Sequence, residues 1–260
     1  IKDAPSLKTA DTGLSVDNAA DVAKESADII LLHKDLTVLG EGVLEGRKTF
    51  GNTMKYIMMG TSSNFGNMFS VAGASLFLPF LPMLPIQILL NNLLYDLSES
   101  TIPTDNVDSE YAEKPRRLDI SFIRKFMIFL GPISSIFDFL TFFMMLFIFK
   151  VTITNVESVK LFQTAWFIES LCTQTLVIFL IRTRKTPFYK SKPSKLLFFR
   201  SLGVVVVALI IPLTPLGELF DFVEPPFAFF ILLAGLIGAY LMLVEIVKKW
   251  FYRRYTYRLE

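Results

Sequence analysis

The sequence has 260 residues, 52% of them hydrophobic, with 26 Lys+Arg against 24 Asp+Glu and a mean hydropathy of +0.50. That composition excludes a disordered chain and an ordinary soluble protein. A net charge of +2 without a clustered basic face excludes nucleic acid as a partner, and one Cys excludes both a disulfide framework and a thiolate metal cluster. The 26 Phe and 9 Met gather in apolar runs, which points to lipid as the solvent. The expected fold is therefore mainly α, a polytopic membrane protein. A first residue of Ile1 and no charged leader before the first span make the chain read as a fragment or processed product.

In chain order, Gly13-Leu14-Ser15-Val16 and Asp28-Ile29-Ile30-Leu31-Leu32 read as short buried strands, with helical spacing from Asn18 to Ala27 between them. Residues 1–34 thus form a short α/β module. From 35 to 53, Leu36, Leu39, Val43 and Phe50 recur at helical spacing with Glu41, Glu45, Arg47 and Lys48 on other faces, which predicts a stalk helix. Residues 54–247 then hold six runs of spanning length, near 54–78, 84–102, 126–149, 162–181, 197–215 and 227–247. Pro79, Pro82 and Pro85 force a tight hairpin between the first two. A basic tail, 248–260, closes the chain.

Loop charges set the orientation, because Lys and Arg collect on the cytoplasmic side. The connection after span two carries Lys114, Arg116, Arg117, Arg124 and Lys125. The one after span four runs from Arg182 to Lys195, and the tail holds Lys248, Lys249, Arg253, Arg254 and Arg258. The connection after span three has only Lys150 and Lys160, and the one after span five only acids, Glu218, Asp221 and Glu224. Both termini are expected in the cytoplasm, with membrane lipid around the spans.

Polar residues inside spans are functional hypotheses by default. Asn92 and Asp96 are four apart and share one face of span two, and Asn64 and Asn67 share one of span one. Across the hairpin these faces can meet, and oxygen ligands on adjoining helices make a site for a hard cation. One mid-membrane Asp among amides suits Mg²⁺, which keeps several waters, better than Ca²⁺, which gathers carboxylates. For the three asparagines, cation binding and hydrogen bonding between helices stay equally open. Asp138 and Glu169 are the other buried acids, and line a pathway or form a structural hydrogen bond. Cys172 reads as a small buried hydrophobe and His33 as a solvated loop residue.

The run Ile1-Lys2-Asp3-Ala4-Pro5-Ser6-Leu7-Lys8, followed by Ala10-Asp11 and Gly13-Leu14-Ser15-Val16, resembles the end of the hinge motif T-G-D-G-x-N-D-A-P-A-L-K-x-A-D-I-G-I-A-V of the P-type ATPases. Asp21-Val22-Ala23-Lys24-Glu25-Ser26-Ala27-Asp28 matches the helix and strand that follow it there. Ser63-Asn64-Phe65-Gly66-Asn67, Asn92-Leu93-Leu94-Tyr95-Asp96 and Gly131-Pro132-Ile133-Ser134-Ser135-Ile136-Phe137-Asp138 are similar to the bacterial Mg²⁺-importing subclass. The resemblance covers essentially the whole chain.

It implies that residues 1–34 are the end of a HAD-like phosphorylation domain and that the spans are the last six of a ten-span pump in the bacterial plasma membrane. It makes Asn67 and Asp96 the principal ligands of the transported Mg²⁺, with Asn64 and Asn92 supporting. Asp3 would help to hold the catalytic Mg²⁺, and ATP would bind domains elsewhere in the pump chain. The sequence departs from the family at Lys2, where the family has Asn, which puts a cation beside Asp3. D-K-T-G-T, the phosphorylated motif, does not occur in the chain, so the fragment by itself is expected not to hydrolyse ATP. The rival expectations are a nucleotide-independent six-helix cation channel or carrier and an inert membrane remnant.

Overall fold

A computed structural model describes residues 2–33, 35–152 and 154–255. Ile1 of the motif-like run, Lys34 at the end of the expected first domain and Arg258 of the basic tail lie outside the described residues. The chain divides into two units, Ile1–Thr49 and Phe50–Glu260.

In the first unit, α1 (Ala4–Thr9) opens with Pro5 in its first turn, where the missing N–H has no helical partner to lose. Strands β1 (Leu14–Val16) and β2 (Ile29–Leu31) pair in parallel, Leu14 opposite Ile29 and Val16 opposite Leu31. Parallel strands need a crossover, supplied by α2 (Asp21–Glu25). The helix is shorter than the spacing over 18–27 predicts because the Ala19 N–H turns back to Val16 O. Gly13 N–H donates to Asp28 Oδ2 at 2.8 Å, tying the start of one strand to the start of the other. A Cβ at Gly13 would stand 2.5 Å from Leu7 O, so the close approach requires glycine. Ile29, Ile30 and Leu32, expected to be buried, are exposed.

Helix α3 (Leu36–Ala74) has 39 residues and takes in both the expected stalk and most of the expected first span. At its start the Thr37 N–H donates to Asp35 Oδ1 at 2.8 Å, which holds that carboxyl below its ordinary range.

In the second unit the proline-rich hairpin leads into α4 (Pro85–Glu99). The Gln87 side chain accepts from Leu84 N–H at 3.0 Å and donates to Phe220 O at 2.8 Å, so it caps α4 and fastens it to a later loop. Then come α5 (Ser109–Ala112), α6 (Ile120–Phe143) continued by a π-turn over Met144–Ile148, α7 (Val156–Leu176) and α8 (Ile178–Ile181). The last elements are α9 (Lys195–Ile210), α10 (Pro215–Glu218) and α11 (Phe227–Arg254).

Among the described residues, four stretches are long and apolar enough to cross a membrane: Ile120–Ile148, Val156–Ile181, Lys195–Leu213 and Phe227–Arg254. They match the third to sixth expected spans. The first two expected spans fall on α3 and α4 and do not meet that measure. α4 has 15 residues against the roughly 20 of a spanning helix. The relevant part of α3 is diluted by Thr61, Ser62, Ser63, Asn64, Asn67 and Ser70. The last helix continues to Arg254, well into the expected tail, and Lys248 is buried. Its ammonium donates to Leu180 O at 3.0 Å and pairs with Glu245 at 2.8 Å.

The core is organised around α7, which packs against α4, α6, α9 and α11. Every residue from Phe162 to Thr175 is buried, as expected of a helix surrounded on all sides. α3 crosses α6 where two glycines meet. A Cβ on Gly66 would lie 2.8 Å from Gly131 O, and one on Gly131 would lie 3.0 Å from Ser62 O. Small residues allow this backbone approach, and Ser135 Oγ donates across it to Gly66 O at 2.9 Å.

Candidate cation site

Asn92 and Asp96 lie one turn apart on the exposed face of α4, and Asn64 is exposed on α3. All three line one open cavity of about 440 Å³ between the two helices, with Tyr56, Thr61, Tyr95 and Glu99 also in its wall. The helical period explains the grouping, since residues four apart project the same way from α4. Thr61 Oγ1 donates back to Ile57 O at 2.6 Å and so presents only lone pairs to the cavity. No group of three or more His, Cys, Asp and Glu that could hold a metal ion occurs among the described residues. What the cavity offers is two carboxylates with neutral oxygens, a donor set for a hard cation that keeps part of its water.

Asn67, the other expected ligand on α3, is not in the wall of this cavity. Its Oδ1 accepts from Gln174 Nε2 of α7 at 3.0 Å, and Gln174 also donates to Ser170 Oγ. The structure therefore brings Asn64, Asn92 and Asp96 together and places Asn67 in an interhelical hydrogen bond.

Asp138 and Glu169 lie apart from the cavity, 2% and 1% exposed. Asp138 Oδ2 accepts from Ser70 Oγ at 2.5 Å and Oδ1 from Trp166 Nε1 at 2.7 Å, which joins α3, α6 and α7 through one carboxyl. The Glu169 carboxyl faces it from α7. Asp3 is exposed in the cap position of α1, where its side chain makes no capping bond, and Lys2 is exposed beside it. Cys172 is buried and free, and His33 is exposed.

The sequence reading missed a buried ionic cluster just past the C-terminal end of α4. Asp105 Oδ2 accepts from Lys55 Nζ of α3 at 2.6 Å and from Arg182 Nε at 2.7 Å. Its Oδ1 accepts from Ser194 N–H at 2.9 Å. Arg182 also donates to the carbonyls of Ser191 and Asn106, and Asn52 of α3 donates to the carbonyls of Pro103 and Asp105. Asp108 accepts from Thr183 and Ser191. Arg182, placed from sequence in a basic loop on the cytoplasmic side, is thus 4% exposed and ion-paired. The only sequence signal is the turn-like Pro103-Thr104-Asp105-Asn106, which reads as an ordinary loop.

The described residues thus combine four stretches long and apolar enough to cross a membrane, an oxygen-lined cavity between α3 and α4 and, ahead of them in sequence, a β-α-β module. The chain is a member of the cation-transporting ATPases: the profile of that family's C-terminal region, Cation transporting ATPase, C-terminus, matches residues 80–250. It is 49% identical over 258 residues to magnesium-transporting ATPase, P-type 1, of Escherichia coli K12, which covers 99% of this chain and 28% of that protein. The protein of the same name from Salmonella typhimurium LT2 is likewise 49% identical over 99% of the chain. Calcium-transporting ATPase 1 of Bacillus cereus is 34% identical over 148 residues, 55% of the chain and 17% of that protein. The chain thus spans a little over a quarter of the length of the magnesium-transporting relatives it matches.

Proposed function

We propose that the chain is the C-terminal transport half of an ATP-driven Mg²⁺ importer of the bacterial plasma membrane, with both ends cytoplasmic. The observation that carries this reading is the convergence of Asp96, Asn92 and Asn64 on one open cavity between α3 and α4. Asp96 among amides, with Glu99 at the edge of the same cavity, answers to Mg²⁺, which is held through one or two carboxylates and retained waters. Two similar proteins, the magnesium-transporting ATPases, P-type 1, of E. coli and Salmonella, support the same cation.

In this reading α3 and the short α4 complete a bundle of six membrane helices. The β-α-β module is the end of a HAD-like phosphorylation domain. Asp3 would hold the catalytic Mg²⁺, whose charge assists phosphoryl transfer from ATP bound by the remainder of the pump. Its exposed carboxyl, free of any capping bond, fits a role as one oxygen ligand among waters. Helix α3, Leu36–Ala74, follows the module in sequence and carries Asn64, which couples phosphorylation to the ion site. The ion binds at Asp96, supported by Asn92 and Asn64, while Asn67 holds α3 to α7.

The test is Asp96→Asn in the full-length pump, which should abolish Mg²⁺-stimulated ATP turnover while the protein still inserts and elutes as a folded species. Wild-type Mg²⁺ affinity in that variant overturns the assignment. Ion flux in the absence of ATP would show a carrier instead.

A further inference from the structure

The cavity around Asp96 has a second acid that the transport reading leaves unused. Glu99 is one turn beyond Asp96 on α4, about 4.5 Å along the axis, at the end of the helix nearer the Asp105 cluster. The residue is 3% exposed, yet it forms part of the cavity wall, and its Oε1 has no hydrogen-bond partner. A buried carboxylate oxygen without a partner is costly, so its lone pairs call for something to bind. The opposite wall makes room: Gly60 of α3 faces the other oxygen, and even a Cβ there would lie 4.0 Å from Glu99 Oε2. Tyr95, 5% exposed and in the same wall, has its hydroxyl beside the Glu99 carboxyl and Ser63.

We propose that Glu99 forms a second cation station in this cavity, which takes a partly hydrated divalent cation one helical turn from Asp96 on its way to the Asp105 end of the bundle. The inference rests on the transport reading above. The space is adequate, since six waters occupy about 180 Å³ at liquid density and the cavity measures about 440 Å³. With Asp96 and Glu99 as stations, the ion moves by one turn and exchanges one carboxylate for the next, keeping its waters. The open space beside Gly60 leaves room for the ion's waters, and Tyr95 supplies a hydroxyl to that water shell.

Binding of Mn²⁺ to the detergent-solubilised, nucleotide-free full-length pump, followed by electron paramagnetic resonance of the free ion, tests this alongside Mg²⁺-stimulated turnover. Wild type, Glu99→Gln, Asp96→Asn and the double variant are compared. Glu99→Gln should lose the weaker component of the isotherm, keep the tighter one and turn over at least tenfold more slowly. Asp96→Asn should lose the tighter component, and the double variant both. A wild-type isotherm and rate in Glu99→Gln, with Asp96→Asn still defective, overturns the second station and leaves the transport reading standing. Wild-type binding in Asp96→Asn instead removes the transport reading itself. Should Glu99→Gln fail to fold, Glu99→Asp keeps the charge but draws it back by one methylene, and it should weaken the second component. An unchanged isotherm in that variant overturns the proposal equally.

Discussion

Replacing Asp105 by Asn removes the anion that Lys55 and Arg182 share while keeping the side chain's shape. The three side chains are 0%, 8% and 2% exposed, so water cannot take over the lost charge. The Oδ1 contact to Ser194 N–H survives in the amide, whereas the contacts at 2.6 and 2.7 Å now set cationic donors against a neutral group. Breaking a buried ion pair by removing one partner costs about 3–5 kcal/mol, because the remaining charge stays buried. For a unit of this size, about 2–4 °C in melting temperature per kcal/mol turns that into a fall of roughly 6–20 °C. The assay is thermal unfolding of the detergent-solubilised protein followed by tryptophan fluorescence. Adding Lys55→Met to Asp105→Asn removes one of the stranded cations, so the pair should destabilise less than the sum of the single changes, by about 0.5–3 kcal/mol. A shift below about 2 °C for Asp105→Asn, or strict additivity in the pair, refutes the reasoning.

Gly66→Ala places a methyl 2.1 Å from Ser134 Oγ and 2.8 Å from the backbone oxygen of Gly131. The hydroxyl can rotate away but the carbonyl cannot, so the crossing of α3 and α6 must open, at about 1–3 kcal/mol. An unchanged melting curve would show that the crossing is loose. Asp138→Asn should be mild: its amide oxygen can accept from Trp166, and its NH₂ can donate to Ser70, whose own proton goes to Gly66 O. The expected loss is about 1 kcal/mol with Mg²⁺-stimulated turnover retained. Loss of transport equal to that of Asp96→Asn would move the ion path to α6.

The β-α-β order, the long helix from 36 onward and the four most apolar spans were legible in the sequence because each follows from local pattern: strand alternation, helical spacing and run length. The i,i+4 relation of Asn92 and Asp96 was legible for the same reason, since a helix fixes which neighbours share a face. Partner choice was not. Asn64 and Asn67 sit three apart and looked equivalent, and only the packing of α7 decided that Asn67 meets Gln174 while Asn64 faces the cavity. Asp138 could not be told from a pathway acid until Ser70 and Trp166, 68 and 28 residues away, were seen to occupy both its oxygens.

Run length put the end of span two near residue 102, whereas α4 ends at Glu99, since hydropathy counts apolar residues and is blind to where the helical hydrogen bonds stop. Loop charge placed Arg182 on the cytoplasmic side without indicating a partner. Its pairing with Asp105, 77 residues away, depends on how two loops and α3 come together, and no local window contains that information. Sequence alone determined which segments are helical, which are apolar and which residues share a helix face, because those are short-range properties of the chain. The tertiary structure alone decided which polar groups are satisfied by one another and which are left facing a cavity, because hydrogen bonds and ion pairs between helices depend on distances that packing sets.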